Sequence, residues 1–190
     1  MDSEIKARGV NFLYAKEYII RKYGEEFFDK LKTQISKEAS LVWSGPILSL
    51  SSYQFEHFKS MVYALCRELK SDEVDSTAEM YAYIADRSLN NLYKIFFRLS
   101  NPSFVLKNYP KLWDRFFTSG TVTVEIAEKT TARIKFELPE IFLDWLPGAC
   151  YGFSKKAVEM AGGKSMKMAE VSKKRTSDGE YEIVYDLNWS

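Results

Sequence analysis

The sequence predicts an α+β chain, in which an aromatic helical half (1–119) precedes a half with the order hairpin, helix, hairpin (120–190). Apolar residues recur at helical spacing before Gly120, and they alternate with a period of two directly after it. No repeat, low-complexity tract or flexible linker separates the halves. We therefore expect one domain over 1–190.

The composition is that of a folded protein without a strong charge preference. Apolar residues make up 46% of the 190 residues and the formal net charge is +1, so we expect a sizeable core and no general attraction to nucleic acid. The first ten residues lack the apolar core of a secretory signal, and no apolar run approaches the ~20 residues of a membrane span. We expect a cytoplasmic protein with no membrane span.

The first hundred residues are predicted to be helical, with one interruption. The expected elements are a helix from Ile5 to Tyr23 that stops at Gly24, a helix over 27–35, a turn over 41–50, a helix begun by a capping box at Ser51 and Gln54, and two helices over 72–88 and 89–99. Gly45 and Pro46 are the reason for expecting a turn in the middle of this half.

The segment 100–120, SNPSFVLKNYPKLWDRFFTSG, joins the two halves. Asn101 and Pro102 predict a helix start, since the Asn side chain accepts from an orphan N–H and Pro needs no partner there. Pro110 predicts a kink or break, and Gly120 predicts the end of the segment. Trp113 has apolar neighbours, so we expect it to be buried between the halves.

The second half alternates as strands do. Residues 121–126 and 132–138 predict one hairpin, and 165–174 and 180–189 predict another, on either side of a helix that starts near Pro147 and runs to Ala161. Gly148 and Gly152 lie four apart in that helix, which indicates close backbone approach to a strand or a partner helix, with the sheet as the commoner reason.

The residues of the segment 100–120 resemble those of an uncharacterised paralogous family abundant in myxobacteria. The resemblance covers 101–106 (NPSFVL), 110–117 (PKLWDRFF) and Ser119-Gly120, and extends to the opening through 23–26 (YGEE) and to the ending 178–189. That family is similar to a ligand-binding superfamily that includes haem nitric-oxide/oxygen-binding domains, vinyl-reductase-like domains and Bet3-like subunits of a Golgi tethering complex. The resemblance implies a helical layer packed on a twisted antiparallel sheet, with any ligand held between them.

Two chemistries of that superfamily are not supported by the residues present. Haem-binding relatives need a proximal histidine and a Tyr-x-Ser-x-Arg clamp, but this chain has His57 alone and no such clamp. Vinyl-reductase-like relatives carry metal-binding cysteines in the final hairpin, where this chain has 173–179 (KKRTSDG). Cys66 and Cys150 are expected to be reduced core thiols. We expect no haem, no metal and no other cofactor.

No catalytic signature is present in the sequence. A nucleophile needs a nearby base, and the single histidine and scattered serines show no such arrangement. Residues 162–165 (GGKS) have the composition of a phosphate loop, but they follow a helix and precede a strand, which is the reverse of the required order. We expect a protein that is not an enzyme.

The sequence therefore favours a sensory or regulatory domain that binds a small apolar molecule or acyl chain between its helical layer and sheet. The candidate ligand-binding residues are aromatic or aliphatic: Tyr93, Phe97, Trp113, Phe117, Ile134 and Phe136. The alternative is a structural, Bet3-like interaction subunit with a filled core and no ligand. Because the helical half is rich in aromatic residues, we expect a homodimer through the helical layers.

Overall fold

The structure is a computed structural model that describes the backbone of residues 5–99 and 101–190, and the side chains of 5–90 and 101–190. Its elements, in chain order, are β1 (Lys6–Arg8), α1 (Gly9–Tyr23), α2 (Glu25–Lys32), α3 (Lys37–Ser44), β2 (Ser52–Gln54), α4 (Phe55–Leu69), α5 (Glu73–Leu99), α6 (Pro102–Lys107), α7 (Tyr109–Phe116), β3 (Thr121–Glu128), β4 (Thr131–Leu138), a 3-10 helix (Glu140–Phe142), α8 (Leu146–Met160), β5 (Lys167–Arg175) and β6 (Tyr181–Asn188).

A two-stranded antiparallel sheet begins the fold, which the sequence did not predict. β1 pairs with β2 through Ala7 and Tyr53, so the first helix starts at Gly9 rather than near Ile5. The predicted capping box is wrong as well, because Gln54 belongs to β2 and α4 begins at Phe55 without a side-chain cap. Strands of three residues are too short to show an alternating pattern.

The helical layer contains a helix where the sequence predicted only a turn. α3 starts after Ser36, whose hydroxyl accepts a hydrogen bond from the Ala39 N–H at 3.2 Å, and the turn is confined to the residues after Ser44. Trp43 of α3 is fully buried, with its ring centroid 4.9 Å from that of Phe12. The expectation of a turn failed because Gly45 and Pro46 end α3 instead of interrupting the whole segment.

A single helix, α5, replaces the two helices predicted over 72–99. It runs for 27 residues, and the Asp72 carboxylate accepts from the Val74 N–H at 2.8 Å at its start. α8 packs along α5 at the glycines. A Cβ on Gly152 would lie 1.9 Å from the Ala78 carbonyl oxygen, so glycine is needed for α8 to approach α5 this closely. The sequence favoured close approach to the sheet instead, and that expectation was wrong.

The junction between the halves follows the sequence prediction. The Asn101 side chain accepts from the Phe104 N–H at 2.9 Å, and Pro102 is the first residue of α6. The helix breaks at Asn108, and Pro110 lies in the first turn of α7. Gly120 follows with a φ of +81°, a conformation that favours glycine.

The main sheet is antiparallel, with the strand order β3, β4, β6, β5. Both predicted hairpins are confirmed, and β4 pairs with β6 to join them, with Ile134 opposite Tyr185. The buried faces of β4 and β6 point to the same core as the helices, which is continuous across both halves. Within residues 5–99 and 101–190, no helix has both the length and the apolar character to cross a membrane.

Candidate functional site

The candidate site is the place where α7 meets the sheet. Trp113 is 4% exposed, which confirms the predicted burial, and its indole N–H donates to the Ser119 carbonyl oxygen at 3.1 Å. Its ring centroid lies 4.4 Å from that of Phe117 and 5.5 Å from that of Phe136. Ile134 of β4 is fully buried nearby in the same core. The side chains of Tyr93 and Phe97 lie outside the described residues.

Three further rings complete this site, and the sequence analysis placed none of them there. Phe55 of α4 stacks on Phe142 at 4.5 Å, and Trp145 lies 5.2 Å from both Phe55 and Phe117, measured between ring centroids. Phe142 and Trp145 lie in the short stretch between β4 and α8, where no regular period marks them as buried. We call the set of these rings the junction cluster: Phe55, Trp113, Phe117, Phe136, Phe142 and Trp145.

A small cavity borders the junction cluster between α5, α7 and α8. Its volume is about 20 Å³, which is room for roughly one water molecule. Its lining is almost entirely apolar: Tyr81, Tyr109, Leu112, Trp113, Phe116, Phe117, Trp145, Leu146, Ala149, Cys150 and Phe153. No described charged residue lines it. Ile134 and Phe136 are not part of this lining.

The polar atoms around the cavity are neutral. Burial raises the pKa of Tyr109 and of Tyr81, and it raises the pKa of the Cys150 thiol to about 12. The Trp145 indole N–H is buried beside the Tyr81 hydroxyl, but the two groups do not reach ordinary hydrogen-bond geometry. Because this pair is poorly aligned, an acceptor that enters the cavity could take the Trp145 N–H in better geometry.

No protein-family model matches the chain, and no curated protein matches it by sequence. Solved structures do match. The Fe(II) unliganded H-NOX protein from K. algicida has a TM-score of 0.73 at 16% sequence identity, over 96% of each chain. A mutant H-NOX of T. tengcongensis has a TM-score of 0.74 at 10% identity, over 96% of this chain and 97% of that one. The likeness shows that this chain has the α+β fold of H-NOX proteins.

A third solved structure has the same fold. It is an oxygen-binding H-NOX domain related to soluble guanylate cyclases, in its oxygen complex, with a TM-score of 0.71 at 10% identity over 96% of this chain and 95% of that one. The oxygen complex and the Fe(II) protein raise the question of whether the present residues fit a haem.

The residues present do not fit a haem. Aromatic rings fill the junction, and the cavity beside it has a volume of only about 20 Å³, which is far too small for a porphyrin. His57 lies on α4, away from the cavity lining, and no cluster of three or more His, Cys, Asp or Glu side chains in the described part of the chain is placed to hold a metal. Cysteine binds haem iron as a thiolate, and burial keeps Cys150 protonated.

Proposed function

We propose that this chain is a sensory or regulatory domain of the H-NOX fold that works without haem and binds a small apolar molecule between its helical layer and its sheet. The observation that carries the proposal is the apolar cavity beside the junction cluster, with the Trp145 N–H at its edge. The proposed binding residues are those that the sequence indicated: Tyr93, Phe97, Trp113, Phe117, Ile134 and Phe136.

The lining supports one class of ligand over others. Rings and aliphatic groups surround the cavity, so a charged metabolite would lose its hydration without gaining a partner. A ring or acyl chain with a single hydrogen-bond acceptor suits this lining, since the acceptor would take the Trp145 N–H. The cavity has a volume of about 20 Å³, so it must widen to admit such a ligand. Because α7 supplies part of the lining, the proposal requires that α7 move.

The proposal includes no catalysis. A catalytic cysteine needs a lowered thiol pKa, whereas burial raises that of Cys150 to about 12. Its Sγ lies 3.9 Å from the Ser154 hydroxyl and close to the Tyr109 hydroxyl, and neither hydroxyl is a base.

The alternative proposal is a structural interaction subunit with a filled core and no ligand. The close packing of the junction cluster favours it, since the ring centroids of Trp113 and Phe117 are only 4.4 Å apart. Mass spectra of the natively purified protein, before and after denaturation, separate the two proposals. A stoichiometric apolar molecule released by denaturation supports the first proposal, and a clean apo mass supports the second.

Ile134→Trp tests the site itself. If the ligand occupies the junction, the new indole blocks it at modest cost in stability, because it takes space that the ligand would use. In a filled core the same change overpacks and costs about 1 to 3 kcal/mol. The control is Thr123→Trp, which adds the same ring on the exposed side of β3. Unchanged ligand occupancy in a stable Ile134→Trp protein would exclude the junction as the site.

We also propose a homodimer of a cytoplasmic protein. We expected a dimer because the helical half is rich in aromatic residues. The described aromatic side chains of α1, α3 and α4 pack on one another, so they do not need a partner subunit to cover them. The support is instead a pair of exposed leucines, Leu41 within α3 (64% exposed) and Leu48 after it (63%). Light scattering that shows only a particle of about 22 kDa at micromolar concentration would contradict the dimer.

A further inference from the structure

A groove on the surface of the helical layer is much larger than the internal cavity. It has a volume of about 510 Å³, which lies within the range of small-molecule sites, roughly 300 to 1,000 Å³. The start of α1, the segment 49–50 before β2, α5 and the end of α7 surround it. We call it the arginine groove, because Arg8 and Arg115 are the charged residues in its lining.

Backbone hydrogen bonds hold the walls of the arginine groove in place. The Gly9 N–H donates to the Ser51 carbonyl oxygen at 2.8 Å, and the Val10 N–H donates to that of Ser49 at 3.1 Å. On the opposite wall the Asn11 side-chain amide donates to the Phe116 carbonyl oxygen at 2.8 Å. The groove is therefore formed before any ligand arrives, which lowers the entropic cost of binding.

The two arginines are not neutralised within the groove. Among the described residues, Arg115 is exposed and has no ion-pair partner, and Arg8 donates only to the Ser52 hydroxyl, at 2.9 Å. The described lining contains no Asp or Glu. A guanidinium matches a carboxylate in shape and charge and can donate two parallel hydrogen bonds to it.

A buried hydroxyl gives a second, independent indication of a ligand. Ser88 of α5 is 2% exposed and lines the groove, and its Oγ has no hydrogen-bond partner among the described residues. A serine within a helix ordinarily bonds a carbonyl of the preceding turn or water. This hydroxyl is left for a polar atom inside the groove.

The rest of the lining is largely apolar. Val10, Leu50, Leu112 and Phe116 contribute to it, and Leu50 is 86% exposed. Such a side chain on the rim of a groove gains most when an apolar ligand covers it. The lining thus combines two cations and the Ser88 hydroxyl with an apolar wall.

We propose that the arginine groove binds a free amphiphilic carboxylate. Arg8 and Arg115 receive the carboxylate, Ser88 donates to it or to an oxygen beside it, and the acyl chain covers Leu50 and Phe116. The site is separate from the junction and does not rest on the function proposed above.

Isothermal titration with dodecanoate, below its micelle concentration, tests the proposal. We expect saturable binding to the parent protein, and binding about tenfold weaker or more for dodecan-1-ol, which has the same chain without the charge. Arg115→Gln and Arg8→Gln should each weaken dodecanoate binding by about tenfold. Lys37→Gln is the matched control, because it removes one exposed positive charge at the start of α3, outside the groove. Equal binding by both arginine variants and the parent overturns the proposal.

Two further comparisons distinguish the groove from the junction and from a membrane surface. Ile134→Trp should leave dodecanoate binding unchanged, and if it alone blocks binding, the acid enters the junction and the groove proposal is wrong. Binding only to phosphatidylglycerol vesicles, and not to free dodecanoate, would indicate a membrane surface and would likewise overturn it. Arg115 is exposed, so its variant should fold even if Arg8→Gln, which loses the bond to Ser52, does not.

Discussion

The junction cluster and the arginine groove lie on two sides of α7 and differ in how far their residues are covered. Trp113 is 4% exposed and faces the junction, whereas Leu50 on the rim of the groove is 86% exposed. Leu112 and Phe116 line both the internal cavity and the groove, so they form the wall between them. One short helix therefore separates a filled apolar interior from an open, positively charged surface.

This difference follows from the helical period. Successive residues on a helix point about 100° apart, so Trp113 lies on a different side of α7 from Leu112 and Arg115. The same rotation brings Leu112 and Phe116, four residues apart, onto one face. The side that meets the sheet loses all of its water, while the side that carries Arg115 keeps it. Substitutions on the two sides should have very different costs.

The largest expected effect is that of Trp113→Ala. It removes a buried indole from between Phe117 and Phe136 together with the bond to the Ser119 carbonyl, and it should lower the free energy of unfolding by about 3 to 5 kcal/mol. Urea denaturation followed by circular dichroism measures this. A loss below about 1 kcal/mol would mean that the junction is not tightly packed.

The wall between the two regions should give the next effect. Leu112→Ala removes a side chain that is 4% exposed, and we expect a loss of about 2 to 3 kcal/mol. The deletion joins the internal cavity to the groove, so fluorescence of a bound apolar dye should increase. Lys111→Ala, an exposed neighbour on α7, is the control and should change neither quantity. Unaltered dye fluorescence would show that the wall closes again around the deletion.

A charged contact at the edge of the junction should give a smaller, pH-dependent effect. The Lys59 ammonium lies 2.9 Å from the Asp144 carboxylate, which also accepts from the Tyr63 hydroxyl. Burial by itself would raise the pKa of Asp144, but the bonds from Tyr63 and Lys59 outweigh it and lower that pKa. Asp144→Asn should cost about 1 kcal/mol at pH 7, since the carboxylate is half exposed and partly screened.

The sign of the pH dependence follows from the lowered pKa. The carboxylate stabilises the fold above its unfolded pKa of about 3.9, and that contribution is lost as the pH falls through the lower folded value. The parent and Asp144→Asn should therefore differ in unfolding free energy at pH 7, and the difference should shrink as the pH falls below the ordinary pKa of an aspartate. A constant difference from pH 7 to pH 2 would contradict this assignment.

The smallest effect should come from the rim of the groove. Leu50→Ser should change the free energy of unfolding by less than about 0.5 kcal/mol, because the side chain is 86% exposed. It should still weaken dodecanoate binding by roughly threefold through lost apolar contact. A stability loss above about 1 kcal/mol that grows with protein concentration would place Leu50 in the dimer contact instead.

The elements that the sequence predicted correctly are those whose signals are local. The Asn101 cap, the break near Pro110 and the positive φ of Gly120 depend on the backbone of a few neighbouring residues. Alternation over six and seven residues was enough to predict β3 and β4 and their pairing. Trp113 could be predicted as buried because its apolar neighbours recur at helical spacing.

The remaining features depend on residues that are far apart in the chain. Gly152 is required by the Ala78 carbonyl, and the three-residue strand β1 exists only because β2 pairs with it. Arg8, Ser88 and Arg115 surround one groove although 107 positions separate the first from the last. The sequence by itself determined helices, strands and turns, since these follow from nearest-neighbour sterics and hydrogen bonding. Only the tertiary structure decided which side of α7 is covered and which of the described donors lack a partner, because both depend on contacts between distant segments.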